Sequence, residues 1–141
     1  MKLITRDIDY AIRALCHIAN SEKEIVSVTE LVKELKIPRP FLRKILQVLH
    51  RSAILKSYRG KNGGFLLALS PVNILLTDII EAFRGPMKLS DCLFKNKICP
   101  DVKSCMLKNK IDAIERGVIS GLKSITIQSL LKEGDDGCKK H

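Results

Sequence analysis

The order of two breaks in the first seventy residues constrains the fold more than any other feature. Ile37-Pro38-Arg39-Pro40 interrupts a helical pattern, because proline keeps the residue before it out of helical geometry. Arg59-Gly-Lys-Asn-Gly-Gly64 separates two strand-like runs, 53–58 and 65–69, with the composition of a hairpin turn. Before the first break stand two amphipathic segments. Residues 7–20 place Ile8, Ala11, Ile12, Leu15, Ile18 and Ala19 on one face. Ser27-Val-Thr-Glu30 has the spacing of a capping box, so a short helix over 28–35 is expected, with Val28, Leu31, Val32 and Leu35 inward. Pro40 suits the first turn of a third helix that runs to about residue 51. Two helices across a short break, then a hairpin, make a winged helix-turn-helix. The expected fold class is mainly α with a small β-hairpin wing.

The second half reads differently. Thr77 is placed to cap a short helix ending near Arg84, where Gly85-Pro86 stops it. Residues 86–106 have no clear period and carry Cys92, Cys99 and Cys105. One long helix over 107–132 is expected next, with Ile111, Ile114, Val118, Leu122 and Ile125 spaced as a packing seam. The domain reading is therefore a winged helix-turn-helix over 1–70, then a loop (86–106) and long helix (107–132) within 71–132. The tail 133–141, EGDDGCKKH, reads as disordered.

Charge separates the halves again. The chain holds 25 Lys and Arg against 15 Asp and Glu, a formal net charge of +10. Residues 1–70 carry 13 of those basic residues and only 6 of the acidic ones. Between Glu34 and Asp78 there is no acidic residue at all. On a wheel of about 100° per residue, Arg39, Arg43, Gln47 and His50 share one face of the third helix, flanked by Lys44 and Arg51. Arg and Gln there suit paired hydrogen bonds to base edges, and Lys suits phosphate. Arg59 and Lys61 in the wing turn suit phosphates or an adjacent minor groove. The implied partner is a double-stranded DNA operator.

Other classes fit poorly. No run reaches the ~18 apolar residues of a membrane span. Arg6, Asp7, Asp9 and Arg13 interrupt the apolar core a signal peptide needs, so the expected location is the cytoplasm, with no membrane partner. No Cys-x-x-Cys pair, acid–base couple or nucleotide loop marks an enzyme.

The cysteines are the remaining chemical signal. Cys92, Cys99 and Cys105 lie in one loop among Lys88, Lys95, Lys97, Lys103 and Lys108. Thiolates bind iron–sulfur clusters and zinc, and nearby cations lower thiol pKa. Structural zinc sites favour two tight Cys pairs, which are absent here. By spacing alone, a cluster, a zinc site and a thiol switch all stand. Cys16, among apolar positions of the first helix, reads as a buried small hydrophobe, and Cys138 in the tail as incidental.

These pieces together resemble the IscR/NsrR family of bacterial iron–sulfur transcription regulators over nearly the whole chain. The matching pieces are Met1-Lys-Leu, Asp9-Tyr-Ala-Ile-Arg-Ala-Leu15, Phe41-Leu-Arg-Lys-Ile-Leu46, Arg59-Gly-Lys-Asn-Gly-Gly-Phe65, the three cysteines, and Leu122-Lys-Ser-Ile-Thr-Ile-Gln-Ser-Leu130. The resemblance implies a homodimer with long C-terminal dimerisation helices crossed between subunits, and a cluster beside that interface. It implies a regulator, in the first instance a repressor, whose cluster senses nitric oxide, redox or iron–sulfur status. A zinc- or thiol-based regulator on the same fold is the alternative. IscR-like members take a histidine three residues after the last cysteine as fourth ligand. Lys108 stands there in this chain, and a protonated lysine has no lone pair for a metal. NsrR-like members take an acidic residue from the first helix of the other subunit, and Asp9 matches that position. The resemblance thus favours a [4Fe–4S] over a [2Fe–2S] cluster, held by Cys92, Cys99, Cys105 and the partner's Asp9. Asp9 is equally suited to a structural role, pairing with Arg13 one turn on. IscR-like members carry an acidic residue where this chain has Arg43, which implies a different DNA sequence preference.

Overall fold

Apolar spacing in the first half is satisfied by one buried core, around which the elements assemble in chain order. The computed structural model describes residues 3–87 and 106–133. Three helices come first: α1 (Arg6–Asn20), α2 (Val28–Leu35) and α3 (Arg39–Arg51). Strands β1 (Leu55–Tyr58) and β2 (Gly64–Leu67) pair antiparallel as a hairpin, with Leu55 opposite Leu67 and Tyr58 opposite Gly64. A 3₁₀ turn at Pro71–Asn73 leads to α4 (Leu76–Arg84); α5 (Met106–Lys123) and α6 (Ile127–Glu133) follow. The fold is a winged helix-turn-helix, mainly α with a two-stranded wing.

Each early element contributes its expected face. Ile8, Ala11, Leu15 and Ile18 of α1 meet Leu31 of α2 and Leu42, Ile45, Leu46 and Leu49 of α3 in the buried cluster. The turn between α2 and α3 is made by Lys36, left-handed at φ 55°, whose N–H donates to the Val32 carbonyl at 3.0 Å. Pro40 lies in the first turn of α3, where its missing N–H has no helical partner to lose.

The wing is anchored by a bridge that the sequence does not announce. Val26, just before α2, exchanges both backbone hydrogen bonds with Phe65 of β2, at 2.9 and 2.8 Å. A Cβ on Gly64 would collide with the Val26 carbonyl. Glycine is therefore required where β2 crosses this backbone. In the turn, Gly60 and Asn62 are left-handed (φ 96° and 65°), as a tight hairpin demands.

Two local expectations are corrected. Ser27 does cap α2, its Oγ accepting from the Glu30 N–H at 3.1 Å, but Glu30 does not complete the box. Its carboxylate turns to two side chains instead, 3.2 Å from Lys23 Nζ and 3.5 Å from His17 Nε2. The hydrogen bond with Lys23 is the main reason the Glu30 pKa is lowered. Thr77 is not a cap: it is buried inside α4 at 3% exposure, and Leu75 precedes the helix with its N–H bonded to Asp78 Oδ2 at 3.3 Å.

The expected single helix over 107–132 is two helices. Residues 124–126 leave the helical path, and the chain pairs with the segment before α4. The Leu76 N–H donates to the Ile125 carbonyl (2.9 Å) and the Ile127 N–H to the Ile74 carbonyl (3.0 Å). Thr126 and Ser129 cap each other, Oγ1 and Oγ each accepting the other's N–H at 3.0 and 2.9 Å. Such residues offer the backbone an alternative to helix, and here a second strand-like segment completes it. α6 then folds against α1 and the 3₁₀ turn, burying Ile127.

Candidate nucleic-acid interface and cluster site

The buried side of α3 fixes what its other side presents. Opposite Leu42, Ile45, Leu46 and Leu49, at about 100° per residue, lie Arg43, Lys44, Gln47 and Arg51, all exposed. Arg39 and His50 are exposed as well, to one side of that outward pole. Among the described residues, no carboxylate pairs with any cation of this face. Arg39 is committed elsewhere in part: its Nη2 donates to Thr29 Oγ1 of α2 at 3.0 Å. That bond ties the N-terminal ends of α2 and α3 together, so Arg39 helps set their angle as well as adding charge. Arg59 and Lys61 stand exposed at the wing tip. The structure thus brings all seven expected DNA-facing residues to the solvent side of α3 and the wing. Such an array can donate paired hydrogen bonds to base edges and single ones to phosphates.

Three further residues border this surface and escaped the sequence reading. Tyr58, at the end of β1 beside Arg59, is 53% exposed. Arg6 and Tyr10 of α1 line a trough with Pro38, Pro40, Phe41 and Lys44. The Tyr10 ring meets Phe41 edge to face, with centroids 5.7 Å apart. The available signal was the i, i+4, i+7 spacing of Arg6, Tyr10 and Arg13, away from the buried face of α1.

Asp9 projects outward from the first turn of α1. Its Oδ2 lies 3.1 Å from Arg13 Nη2, and its side chain keeps 46% of its surface exposed. It lines a shallow pocket with Ile4, Thr5, Arg6, Tyr10 and Arg13. An outward carboxylate without a buried role fits the hard-oxygen ligand of a site completed by thiolates from elsewhere. Cys92, Cys99 and Cys105 lie outside the described residues, as do residues 88–105 of the expected loop (86–106) and residues 134–141 of the expected disordered tail (133–141). Among the described residues, no group of three or more His, Cys, Asp or Glu side chains is disposed to hold a metal ion. Cys16 is buried in the core, as expected. Lys108, where a histidine ligand would stand, pairs with Asp112 at 3.1 Å.

α5 has a different character. It is 18 residues long and buries none of them within the chain. Met106, Leu107 and Ile114 are 77%, 71% and 56% exposed, and its contact with the rest of the chain is chiefly to α4. No helix among the described residues is long and apolar enough to cross a membrane.

Comparison with known proteins agrees with this architecture. A family profile described as an iron-dependent transcriptional regulator, Rrf2, matches residues 4–133. A chain from Aquifex aeolicus assigned as an HTH-type transcriptional regulator is 34% identical over 124 residues, 86% of each chain. The solved structure of CymR, the global cysteine regulator of B. subtilis, superposes with a TM-score of 0.75 at 22% identity, covering 94% of this chain and 98% of that one. T. potens IscR superposes with a TM-score of 0.69 at 24% identity, covering 94% and 88%. At such identities the two structures establish the shared fold.

Proposed function

The chain belongs to the Rrf2 family of transcriptional regulators, and from that premise we propose that it is a dimeric, DNA-binding repressor governed by an iron–sulfur cluster. The observation that carries the DNA-binding part is the exposed, unpaired basic face of α3 beside a wing tipped by Arg59 and Lys61. Gln47 near the outward pole and Arg43 on its flank read base edges; Lys44 and Arg51 meet phosphates; Arg39 contributes charge while bracing α2.

The α5 surface supports the dimer. An exposed apolar seam of this length marks an interaction site, and self-association of α5 would cover Met106, Leu107 and Ile114. Cys92, Cys99 and Cys105 would hold the cluster, with Asp9 of the partner subunit as fourth ligand. When bound, the cluster would supply a redox- and nitric-oxide-sensitive centre, and Asp9 would be a weaker ligand than the thiolates.

The chain's own residues give such a change a path to DNA. Asp9 is followed by Tyr10, whose ring packs edge-on against Phe41 in the first turn of α3. A shift of α1 on gaining or losing a ligand at Asp9 would move the N-terminal end of α3. Coupling requires that cluster and operator favour different, or the same, settings of that contact.

Anaerobic purification with iron and sulfide analysis, then DNA binding with and without the cluster, tests the reading. Brown protein whose operator affinity changes on cluster loss is expected. Cys92→Ala, Cys99→Ala and Cys105→Ala should each lose iron, while Cys16→Ala and Cys138→Ala should keep it. Colourless, zinc-bearing or metal-free protein with thiol-dependent DNA binding would replace the cluster by the zinc or thiol reading.

A further inference from the structure

Of the residues that line the trough between α1 and α3, only Lys44 is among those assigned to base and phosphate contact above. Its floor is apolar, made by the rings of Pro38, Pro40, Phe41 and Tyr10, and two cations border it, Arg6 from α1 and Lys44 from α3. Pro40 has no N–H to offer, which weakens the first turn of α3 as an anion holder and leaves more of the task to side chains.

Charge on the α1 side resolves in favour of an anion. Asp9 shares the outer strip of α1 with Arg6 and Arg13, but its charge is matched by Arg13 at 3.1 Å. Asp7 is exposed and does not line the trough. Among the described residues, neither Arg6 nor Lys44 has a carboxylate partner.

Position selects the occupant. On the α3 wheel, Lys44 and Phe41 fall on the flank away from Arg39, and Arg39 is the residue bound to α2. A helix lying in a major groove has a sugar–phosphate backbone on either flank. One flank here is bordered by α2, and the other by the N-terminal turns of α1. An open trough with an apolar floor and cationic rims matches a strand in which apolar deoxyribose alternates with phosphate. Small ligands instead take enclosed sites that bury most of their surface.

We infer that this trough seats the backbone of one DNA strand, with Arg6 and Lys44 each on a phosphate and the Tyr10 hydroxyl within the same contact. The inference rests on the DNA-binding reading above and adds α1 to the interface. It makes Arg6 and Tyr10 positioning residues that hold α3 in register and carry no sequence preference.

The test uses the full chain and two duplexes of about 30 base pairs, one selected by the wild-type protein from a random-sequence pool and one scrambled. Affinity is measured across a salt series for wild type, Arg6→Ala, Arg6→Lys, Tyr10→Phe and Arg43→Ala. Arg6→Ala should weaken both duplexes by the same factor and reduce the salt slope by about one unit per subunit, so about two units for a bound dimer. Arg6→Lys should restore the slope, and Tyr10→Phe should weaken both duplexes without changing it. Arg43→Ala should narrow the gap between the two duplexes. An unchanged thermal midpoint for Arg6→Ala excludes misfolding, since Arg6 is exposed. A wild-type slope in Arg6→Ala, with Arg43→Ala still impaired, overturns the trough and leaves the DNA-binding reading intact. Saturable perturbation of Tyr10 by benzoate, with that same unchanged slope, would make it a small-anion pocket instead. A wild-type chain that selects no duplex removes both.

Discussion

The winged helix and α5 are built from equally apolar sequence and end in opposite conditions. α1 and α3 bury their apolar faces within the chain, Leu15, Leu42, Leu46 and Leu49 with no exposed surface at all. α5 repeats apolar residues at the same three- and four-residue spacing and buries none. The pattern is alike; what differs is whether a partner face exists in the same chain. The winged helix, with α4 and α6 packed on it, therefore finds its partner faces within the chain. α5 is half of something, and in the proposed dimer the other half is a second α5.

The sharpest way to break that comparison is to truncate one residue on each side. Leu46→Ala should cost about 2–5 kcal/mol, because the core cannot close over the space left. Ile114→Ala should leave monomer stability within about 0.5 kcal/mol, as an exposed position does, while weakening self-association. Chemical denaturation and analytical ultracentrifugation read the two effects separately. A large loss of monomer stability in Ile114→Ala would mean α5 already has its partner inside the chain.

Gly64→Ala probes how the wing is held to the winged helix. A Cβ there meets backbone, the Val26 carbonyl, rather than a flexible side chain. A cost of about 1–3 kcal/mol is expected, with weaker DNA binding because Arg59 and Lys61 lose their placement. Wild-type stability would show that the Val26–Phe65 bridge is dispensable. Smaller again is Ser27→Ala, which removes the Oγ that accepts from the Glu30 N–H. About 1 kcal/mol should be lost at equilibrium unfolding, and a null result would mean water replaces the cap.

How far the sequence could be read follows the same division. The turn before α3, the wing and the inward faces of α1–α3 were legible because local signals, Pro38, Pro40 and the glycines, agree with apolar spacing. The break after Lys123 was not. Leu122 and Ile125 continue the apolar period into it, and what stops the helix is backbone pairing with Ile74 and Leu76, some fifty residues earlier in the chain. The failed Glu30 cap has the same origin, since His17, thirteen residues upstream, and Lys23 draw its carboxylate away. Arg6 and Tyr10 border the α3 surface only through the tertiary placement of α1. At the candidate site, the basic residues were readable by type and spacing. Whether Asp9 serves the fold or a partner subunit turns on contacts that spacing cannot encode.

The smallest expected stability effect is therefore the most informative. Asp9 makes one ion pair, to Arg13 one turn on, with both side chains partly exposed. Such i, i+4 pairs stabilise by roughly 0.3–0.5 kcal/mol, and solvent screening trims that further. A carboxylate in the first turn adds a little through the helix dipole. If Asp9 only supports α1, Asp9→Ala should shift the thermal midpoint by a degree or so and change nothing else. If it is the partner's ligand, the midpoint of the cluster-free protein should move as little, while iron is lost faster from the anaerobic holoprotein. Mixed dimers sharpen this further. One chain lacking Asp9 and the other lacking the three cysteines should retain one complete site, because the intact Asp9 then faces the intact thiolates. Both altered chains alone should yield unstable or iron-free protein. Equal iron retention in wild type and Asp9→Ala would return Asp9 to the winged helix as a structural residue, and the fourth ligand would have to come from another group.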